Sequence, residues 1–275
     1  EMSNEMKGQS YKSEEMWNLS RIAKTIQKAN NGENIVVAAL GGSITEGAGT
    51  SIKANSYANR VADWWEKKYP GQVTRVNAGV GGTDSYLGVH RMPGQVLAKN
   101  PDFTVVDFAV NDNAHEYQDY AYETIIRDLL SSSDTSSVMM AFFMNNSSVT
   151  SLTNAQHLEI PIGEHYGVPM ISVRDAVQAQ KDAGRLSYSD VMADIVHPND
   201  YGHWLASECI TSVLDTVYEN LGDYIGEEYT VPATTVFTPI KYTDATIYVG
   251  NNSEGSKFGT ELVPTANAGW SEGFA

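Results

Sequence analysis

The sequence is almost free of cysteine, since Cys209 is the only one among its 275 residues. A single cysteine excludes an intramolecular disulfide bond and a metal site built from several thiolates. Cys209 falls in an apolar, helix-like stretch, so we predict that it is a buried packing residue.

Long hydrophobic runs are absent as well. No stretch reaches the roughly 18 consecutive apolar residues of a membrane-spanning helix, so we expect no membrane partner.

Basic residues are scarce relative to acidic ones. Lysine and arginine total 18 against 34 aspartates and glutamates, which gives a formal net charge of -16 and a pI near 4.6. Such a charge repels phosphate backbones and anionic lipid surfaces, so nucleic acid is a poor partner. Residues 1–4 lack the basic, then apolar, pattern of a secretory signal. The compartment, extracellular or cytoplasmic, therefore stays open, as does the oligomeric state.

Histidines do not cluster at metal-ligand spacing. His157 and His165 would share a helix face, but they are eight residues apart and no second pair joins them. We therefore predict that the protein works without a metal ion and without any other cofactor.

Apolar runs of strand length alternate with helical patterns over the first four fifths of the chain. The runs are nearly all apolar, which is typical of parallel strands buried on both faces of a sheet. The pattern predicts an α/β fold with a central parallel sheet of about five strands. The predicted strands span residues 35–40, 73–78, 103–110, 138–144 and 168–173. The predicted helices span residues 16–26, 57–69, 120–131, 154–165 and 200–221.

The composition changes near residue 226, where helical patterns cease. Residues 227–275 contain short β-like runs separated by turn residues, with aromatic side chains among Gly, Asn, Ser and Thr. We expect residues 1–226 to form one domain. Residues 227–275 would be an accessory β segment, or the start of a truncated β-sandwich that binds carbohydrate. In that segment Trp270 is the candidate for stacking on a sugar ring.

Four groups of polar and glycine residues follow the predicted strands. In a parallel sheet the carboxyl ends of the strands meet at one edge, where ligands bind. Each group alone is a common turn sequence, but four at one edge indicate a site. The groups are Gly42-Ser43, the stretch from Asn77 to Asp84, Asn111-Asp112, and the stretch from Asp194 to His197.

These groups contain the parts of a serine hydrolase. Ser43 would be the nucleophile, His197 the base that removes its proton, and Asp194 the acid that orients the imidazole. The oxyanion would be bound by the backbone N–H groups of Ser43 and Gly82 and by the side-chain amide of Asn111. Candidates for contacting the substrate beside them are Asp84, Asp112 and Asn113.

The four groups together resemble the SGNH hydrolase superfamily, also called GDSL-type esterases. The sequence lacks the G-x-S-x-G elbow of α/β-hydrolases, because residues 41–45 read Gly-Gly-Ser-Ile-Thr. It departs from the superfamily pattern at Gly42, which replaces the Asp of the Gly-Asp-Ser form, and at Ala109, which replaces a Gly. The "GGSIT" variant resembles the serine block of bacterial carbohydrate acetylesterases.

This resemblance implies a flavodoxin-like three-layer α/β/α fold over residues 35–221 and the roles just given to Ser43, Gly82, Asn111, Asp194 and His197. It further implies an esterase that removes acetyl or another short acyl group from a carbohydrate such as xylan, mannan or their oligosaccharides, in polysaccharide degradation. Two alternatives stay open. One is a lysophospholipase or thioesterase with the same triad, and the other is a carbohydrate-binding module whose hydrolase part has decayed.

Overall fold

A computed structural model describes residues 2–113, 115–145 and 155–237. Its centre is a six-stranded sheet with strand order β1-β6-β5-β4-β2-β3. All neighbouring strands are parallel except the short edge pair β1 and β6. The strands are β1 (Tyr11–Lys12), β2 (Ile35–Gly41), β3 (Val73–Gly79), β4 (Phe103–Asp107), β5 (Ser137–Phe142) and β6 (Met170–Ser172).

Helices cover both faces of the sheet. Along β2 the side chains alternate, so that Val37 and Ala39 pack into one core and Ala38 and Leu40 into the other. The described helices are α1 (Asn4–Ser10), α2 (Ser20–Asn30), α3 (Ser43–Glu46), α4 (Tyr57–Lys68), α5 (Ser85–Gln95), α6 (Glu116–Ser131), α7 (Gln156–Tyr166), α8 (Val173–Asp182), α9 (Tyr188–Val191), α10 (Asp200–Glu219) and α11 (Leu221–Tyr224). The first core takes side chains from α1, α2, α4, α8 and α10, and the second from α5, α6 and α7.

The predicted α/β class, its parallel sheet and its two helical layers are confirmed. The sheet gains one strand beyond the five predicted, because Tyr11 and Lys12 pair antiparallel with Ile171 and Met170 at the edge. Two residues are too few to show an alternating pattern in the sequence, so this strand was not predicted.

Several helices differ from the prediction, and the short helices α1, α3, α9 and α11 were not predicted. Helix α2 begins at Ser20 rather than near residue 16, because the side chain of Asn18 accepts a hydrogen bond from the Ser20 amide at 3.1 Å. Helix α5 was not predicted, since Pro93 lies within it. The side chain of Asp84 caps α5 by accepting from the Leu87 amide at 3.0 Å. Tertiary packing then overrides the weak helix propensity of that stretch.

The first residues beyond the proposed boundary pack on the α/β unit. The carboxylate of Glu123, on α6, accepts from the backbone amides of Val236 and Phe237 at 2.7 and 2.8 Å. The Arg21 guanidinium lies 4.6 Å from the ring centre of Tyr229. Residues 227–237 form no strand. The domain boundary near 226 stays a prediction, and the β-like runs after residue 237 lie outside the described residues.

Within the described part of the chain, no helix combines the length and the apolar character that crossing a bilayer requires. Cys209 is buried in the first core, as predicted.

Candidate active site

Ser43 lies at the turn between β2 and α3, at the carboxyl edge of the sheet. β2 ends at Gly41 and α3 begins at Ser43, so the serine stands at the end of a strand buried between two helical layers. Its side chain is partly exposed. Its Oγ atom lies 3.0 Å from Nε2 of His197. This is the distance at which an imidazole can take the proton of a serine hydroxyl.

The second ring nitrogen of His197 faces a carboxylate. Nδ1 lies 2.8 Å from Oδ2 of Asp194, so the proton of a neutral imidazole is held on Nδ1 and Nε2 is left to accept. The hydrogen bond from His197 and the amides of Val196 and His197 lower the pKa of Asp194 to about 2. Asp194 is therefore ionised at neutral pH. Its side chain is 53% exposed to solvent, which also favours the charged form.

The loop that carries His197 is fixed at both of its ends. Met192 and Pro198 form an isolated antiparallel bridge, and the amide of Ala193 donates to the carbonyl of His197 at 2.8 Å. Asn199 then caps α10 through its side chain, which accepts from the amides of Tyr201 and Gly202. The long buried helix α10 thus places the histidine over the serine turn.

The predicted oxyanion donors surround the same point. The amides of Ser43 and Gly82 donate to no other group among the described residues, which leaves both available to a ligand. Gly82 and Asn111 line one cleft together. Gly82 has a φ of +71°, a backbone conformation that favours glycine.

A comparison with known families supports this reading of the geometry. The model of the GDSL-like lipase/acylhydrolase family matches residues 39–205, which run from the end of β2 into α10. The chain belongs to this family. No similar sequence was found among the curated proteins.

Solved structures with the same fold include esterases. A two-domain esterase active on acetylated mannans, co-crystallised with mannopentaose, is 32% identical, with a TM-score of 0.73 over 83% of this chain and 60% of that one. The structure of that esterase without mannopentaose is 33% identical, with a TM-score of 0.73 over 83% of this chain and 61% of that one. The chain thus spans about 60% of the length of that esterase. An acetyl xylan esterase shares the fold at 23% identity, with a TM-score of 0.54 over 66% of this chain and 100% of that one.

Gly42, which replaces the Asp of the Gly-Asp-Ser form, lies close to the side chain of Asn111. A Cβ atom at position 42 would lie 2.4 Å from Oδ1 of Asn111, well inside contact distance. The Asn111 amide therefore occupies space that a side chain at position 42 would need. The role of the Asn111 side-chain amide as an oxyanion donor stays a prediction.

The loop that carries Gly82 is tied to the serine turn by side chains that the sequence analysis did not identify. Glu46, at the end of α3, accepts from the Gly81 amide at 2.9 Å. Arg91, on α5, donates to the carbonyl of Gly41 at 2.6 Å, and also to Ala78 and Thr83. A lone arginine in a stretch broken by Pro93 gave no signal in the sequence, because its partners Gly41 and Ala78 accept through backbone carbonyls.

A buried carboxyl group lies beneath the serine turn. Asp107, the last residue of β4, accepts from Oγ1 of Thr45 at 3.2 Å, and the Thr45 hydroxyl lies 2.6 Å from the hydroxyl of Tyr57. Burial raises the pKa of Asp107 to about 7, with a smaller contribution from the charge of Asp112. The signal for this residue was an aspartate inside the apolar run of residues 103–110.

The raised pKa of Asp107 predicts how stability depends on pH. An exposed aspartate titrates near 3.9, so the folded protein holds this proton more tightly than the unfolded chain. The stability that this group contributes is present below about pH 4 and is lost as the pH rises through about 7. Asparagine does not titrate, so Asp107→Asn avoids this loss. The free energy of unfolding of the variant minus that of wild type should therefore be larger at pH 8 than at pH 5, by on the order of 1 kcal/mol or more. Chemical unfolding of both proteins at the two pH values measures this difference.

Asparagine keeps an acceptor for Thr45, so the variant should fold. An unchanged stability difference between pH 5 and pH 8 would mean that Asp107 does not titrate in this range.

The candidate substrate contacts divide into three groups. Asp84 and Asn113 line the cleft with Gly82 and Asn111. Asp112 does not fit the expectation, because it is only 2% exposed and its Oδ1 atom accepts from the Ser85 amide at 2.8 Å. Its role in the described structure is to anchor the start of α5. Trp270 lies outside the described residues.

Across the described residues, no group of three or more His, Cys, Asp or Glu side chains is arranged to hold a metal ion. His165 faces the C-terminal segment instead, with Nε2 2.9 Å from the carbonyl oxygen of Thr234.

Removal of the Ser43 hydroxyl should abolish hydrolysis of an activated ester. We expect Ser43→Ala to lower kcat by on the order of 10³-fold or more, with an unchanged melting temperature, because the variant lacks the hydroxyl that would attack the ester carbonyl. Steady-state hydrolysis of 4-nitrophenyl acetate checks this. Ser132→Ala, at the end of α6 and the opposite edge of the sheet, is the matched control. A Ser43→Ala enzyme with a tenth of the wild-type rate would place the nucleophile elsewhere.

Proposed function

We propose that the protein is a serine esterase that removes acetyl groups from a carbohydrate. The observation that carries the hydrolytic part is the chain of two hydrogen bonds from Ser43 Oγ to His197 Nε2, at 3.0 Å, and from His197 Nδ1 to Asp194 Oδ2, at 2.8 Å. A serine hydroxyl becomes a nucleophile only when a base takes its proton, and this arrangement supplies the base and the acid that orients it.

In the first half of the reaction, Ser43 Oγ bonds to the ester carbonyl carbon while its proton moves to Nε2 of His197. The ionised carboxylate of Asp194 stabilises the imidazolium that results. The carbonyl oxygen becomes an oxyanion, which the amides of Ser43 and Gly82 and Nδ2 of Asn111 would bind. When the tetrahedral intermediate collapses, the bond to the sugar oxygen breaks. His197 returns its proton to that oxygen, and the alcohol leaves.

In the second half, water replaces the alcohol. His197 takes a proton from the water as it attacks the acetyl-serine, and the same donors bind the second oxyanion. The bond between Ser43 Oγ and the acyl carbon then breaks, and Oγ regains the proton from His197. The products are acetate and the free sugar hydroxyl, and the enzyme returns to its starting state.

The carbohydrate part of the proposal is supported by similarity and by charge. The esterase that acts on acetylated mannans is 32–33% identical over 83% of this chain. A net charge of -16 also disfavours anionic lipids and acyl carriers with phosphate groups as substrates. An acetylated oligosaccharide is neutral and meets no such repulsion.

Two other functions are less consistent with the cleft and the triad. A lysophospholipase or thioesterase would use the same triad but needs a long apolar groove for its acyl chain. The cleft beside the oxyanion donors is instead of mixed character, because the polar side chains of Asp84, Asn111 and Asn113 line it together with Tyr86, Leu87 and Tyr117. A decayed hydrolase kept as a binding module would not be expected to preserve both hydrogen bonds of the triad.

A substrate series tests the proposed function. We expect acetate release from acetylated mannan or xylan oligosaccharides. Turnover of 4-nitrophenyl acetate should exceed that of 4-nitrophenyl octanoate by roughly tenfold or more, because the resemblance of the serine block to acetylesterases implies a small acyl pocket. Acetate is measured with a coupled assay and nitrophenol by absorbance. Preference for the octanoyl ester, with no acetate from any oligosaccharide, would favour the lipid or thioester function.

A further inference from the structure

The cleft next to the oxyanion donors has an aromatic wall that the triad does not use. Its volume is about 720 Å³, within the range of roughly 300–1,000 Å³ typical of small-molecule sites. Because Gly82 and Asn111 line it, whatever fills this cleft lies directly beside the ester carbonyl. Its lining residues are Gly82, Asp84, Tyr86, Leu87, Asn111, Asn113 and Tyr117.

Two tyrosines form the aromatic wall. Tyr86, on α5, and Tyr117, on α6, are 39% and 43% exposed, although large side chains of this kind are usually more deeply buried. Their ring centres are 5.3 Å apart at an interplanar angle of 79°. The ring of His115 stacks on Tyr117, with centres 5.3 Å apart and planes 11° apart. Two neighbouring helices thus each contribute a tyrosine ring to the lining of the cleft.

A buried glutamine holds the two sides of this surface together. Gln118, 2% exposed, donates from Nε2 to Oδ2 of Asp84 at 2.8 Å, and its Oε1 accepts from the Asn113 amide at 2.8 Å. The carbonyl of Gln118 also accepts from the hydroxyl of Ser85 at 3.1 Å. These bonds join the first turn of α5 to the start of α6. The hydrogen bonds therefore fix the relative positions of the two helix starts that carry the tyrosines.

The chemistry of the lining favours a neutral, hydroxyl-rich ligand. None of the described residues that line the cleft is lysine or arginine, so it offers no partner for a phosphate or carboxylate. Asp84 and Asn113 provide hydrogen-bonding groups at the same wall. Aromatic faces beside a few polar groups suit a molecule that has apolar C–H faces edged with hydroxyl groups. A sugar ring has this character.

We infer that Tyr86 and Tyr117 form a subsite that binds the sugar rings of the substrate, so that the cleft receives the alcohol side of the ester and not the acyl chain. This inference rests on the proposed function, because it takes the substrate to be an acetylated oligosaccharide.

The test compares a large and a small substrate. Tyr117→Ala and Tyr86→Ala should each lower kcat/KM on an acetylated mannooligosaccharide by on the order of tenfold. The same variants should leave kcat/KM on 4-nitrophenyl acetate nearly unchanged, because binding energy remote from the carbonyl is available only to the larger substrate. Tyr117→Phe, which keeps the ring, should retain most of the wild-type value.

Tyr218→Ala is the matched control, since Tyr218 is 37% exposed on α10 and contacts Lys68 and Trp64 on α4, not the cleft. Melting temperatures verify that each variant folds. Equal losses on both substrates, or no loss on either, would overturn the subsite. A loss confined to 4-nitrophenyl octanoate would also overturn it, because the cleft would then be an acyl groove.

Failure of the proposed function gives a different result. In that case the wild-type protein releases no acetate from any acetylated oligosaccharide, and the subsite proposal is overturned with it. A direct binding measurement separates the two further. Deacetylated mannooligosaccharide, titrated into Ser43→Ala by calorimetry, should bind, and Ser43→Ala/Tyr117→Ala should bind at least several-fold more weakly. Equal affinity of the two proteins would overturn the subsite.

Discussion

The hydrogen bond between Ser43 Oγ and His197 Nε2 joins residues that are 154 positions apart in the chain. Ser43 is placed by the end of β2, an interior strand between β4 and β3, while His197 is placed by the loop before α10. Neither element can shift by an ångström without breaking the bond, so the geometry depends on how α10 packs against the first core. The bridge between Met192 and Pro198 removes the remaining freedom of the loop.

Buried carboxyl groups at the edge of the sheet that holds this bond lower the stability of the folded protein at neutral pH. Beneath the serine turn lie three buried carboxyl groups, those of Asp107, Asp112 and Glu159. Burial is the main cause that raises their pKa values, and for Glu159 the charges of Asp112 and Asp107 add to it. Such groups oppose stability at neutral pH, but Asp107 and Asp112 anchor Thr45 and Ser85, which support the serine turn and the aromatic wall. Functional edges commonly carry this kind of cost.

Much of the fold and of the reacting centre could be predicted from the sequence, because apolar strands and their polar ends are local signals. Ser43, Gly82, Asn111, Asp194 and His197 all follow predicted elements, and the structure brings them together; their roles stay predictions. What the sequence could not reveal depends on tertiary packing. Helix α5 was hidden by Pro93, Asp112 turned out to be buried, and the pairing of Tyr86 with Tyr117 requires knowing that α5 and α6 are neighbours.

The most direct test of the central claim is to trap the acyl-enzyme. The protein is mixed with excess 4-nitrophenyl acetate, quenched in acid within the first turnovers, digested and examined by mass spectrometry. We expect one added acetyl group on the peptide that contains Ser43, and none on that peptide in His197→Ala. An acetyl group that accumulates and turns over on a different residue would contradict it.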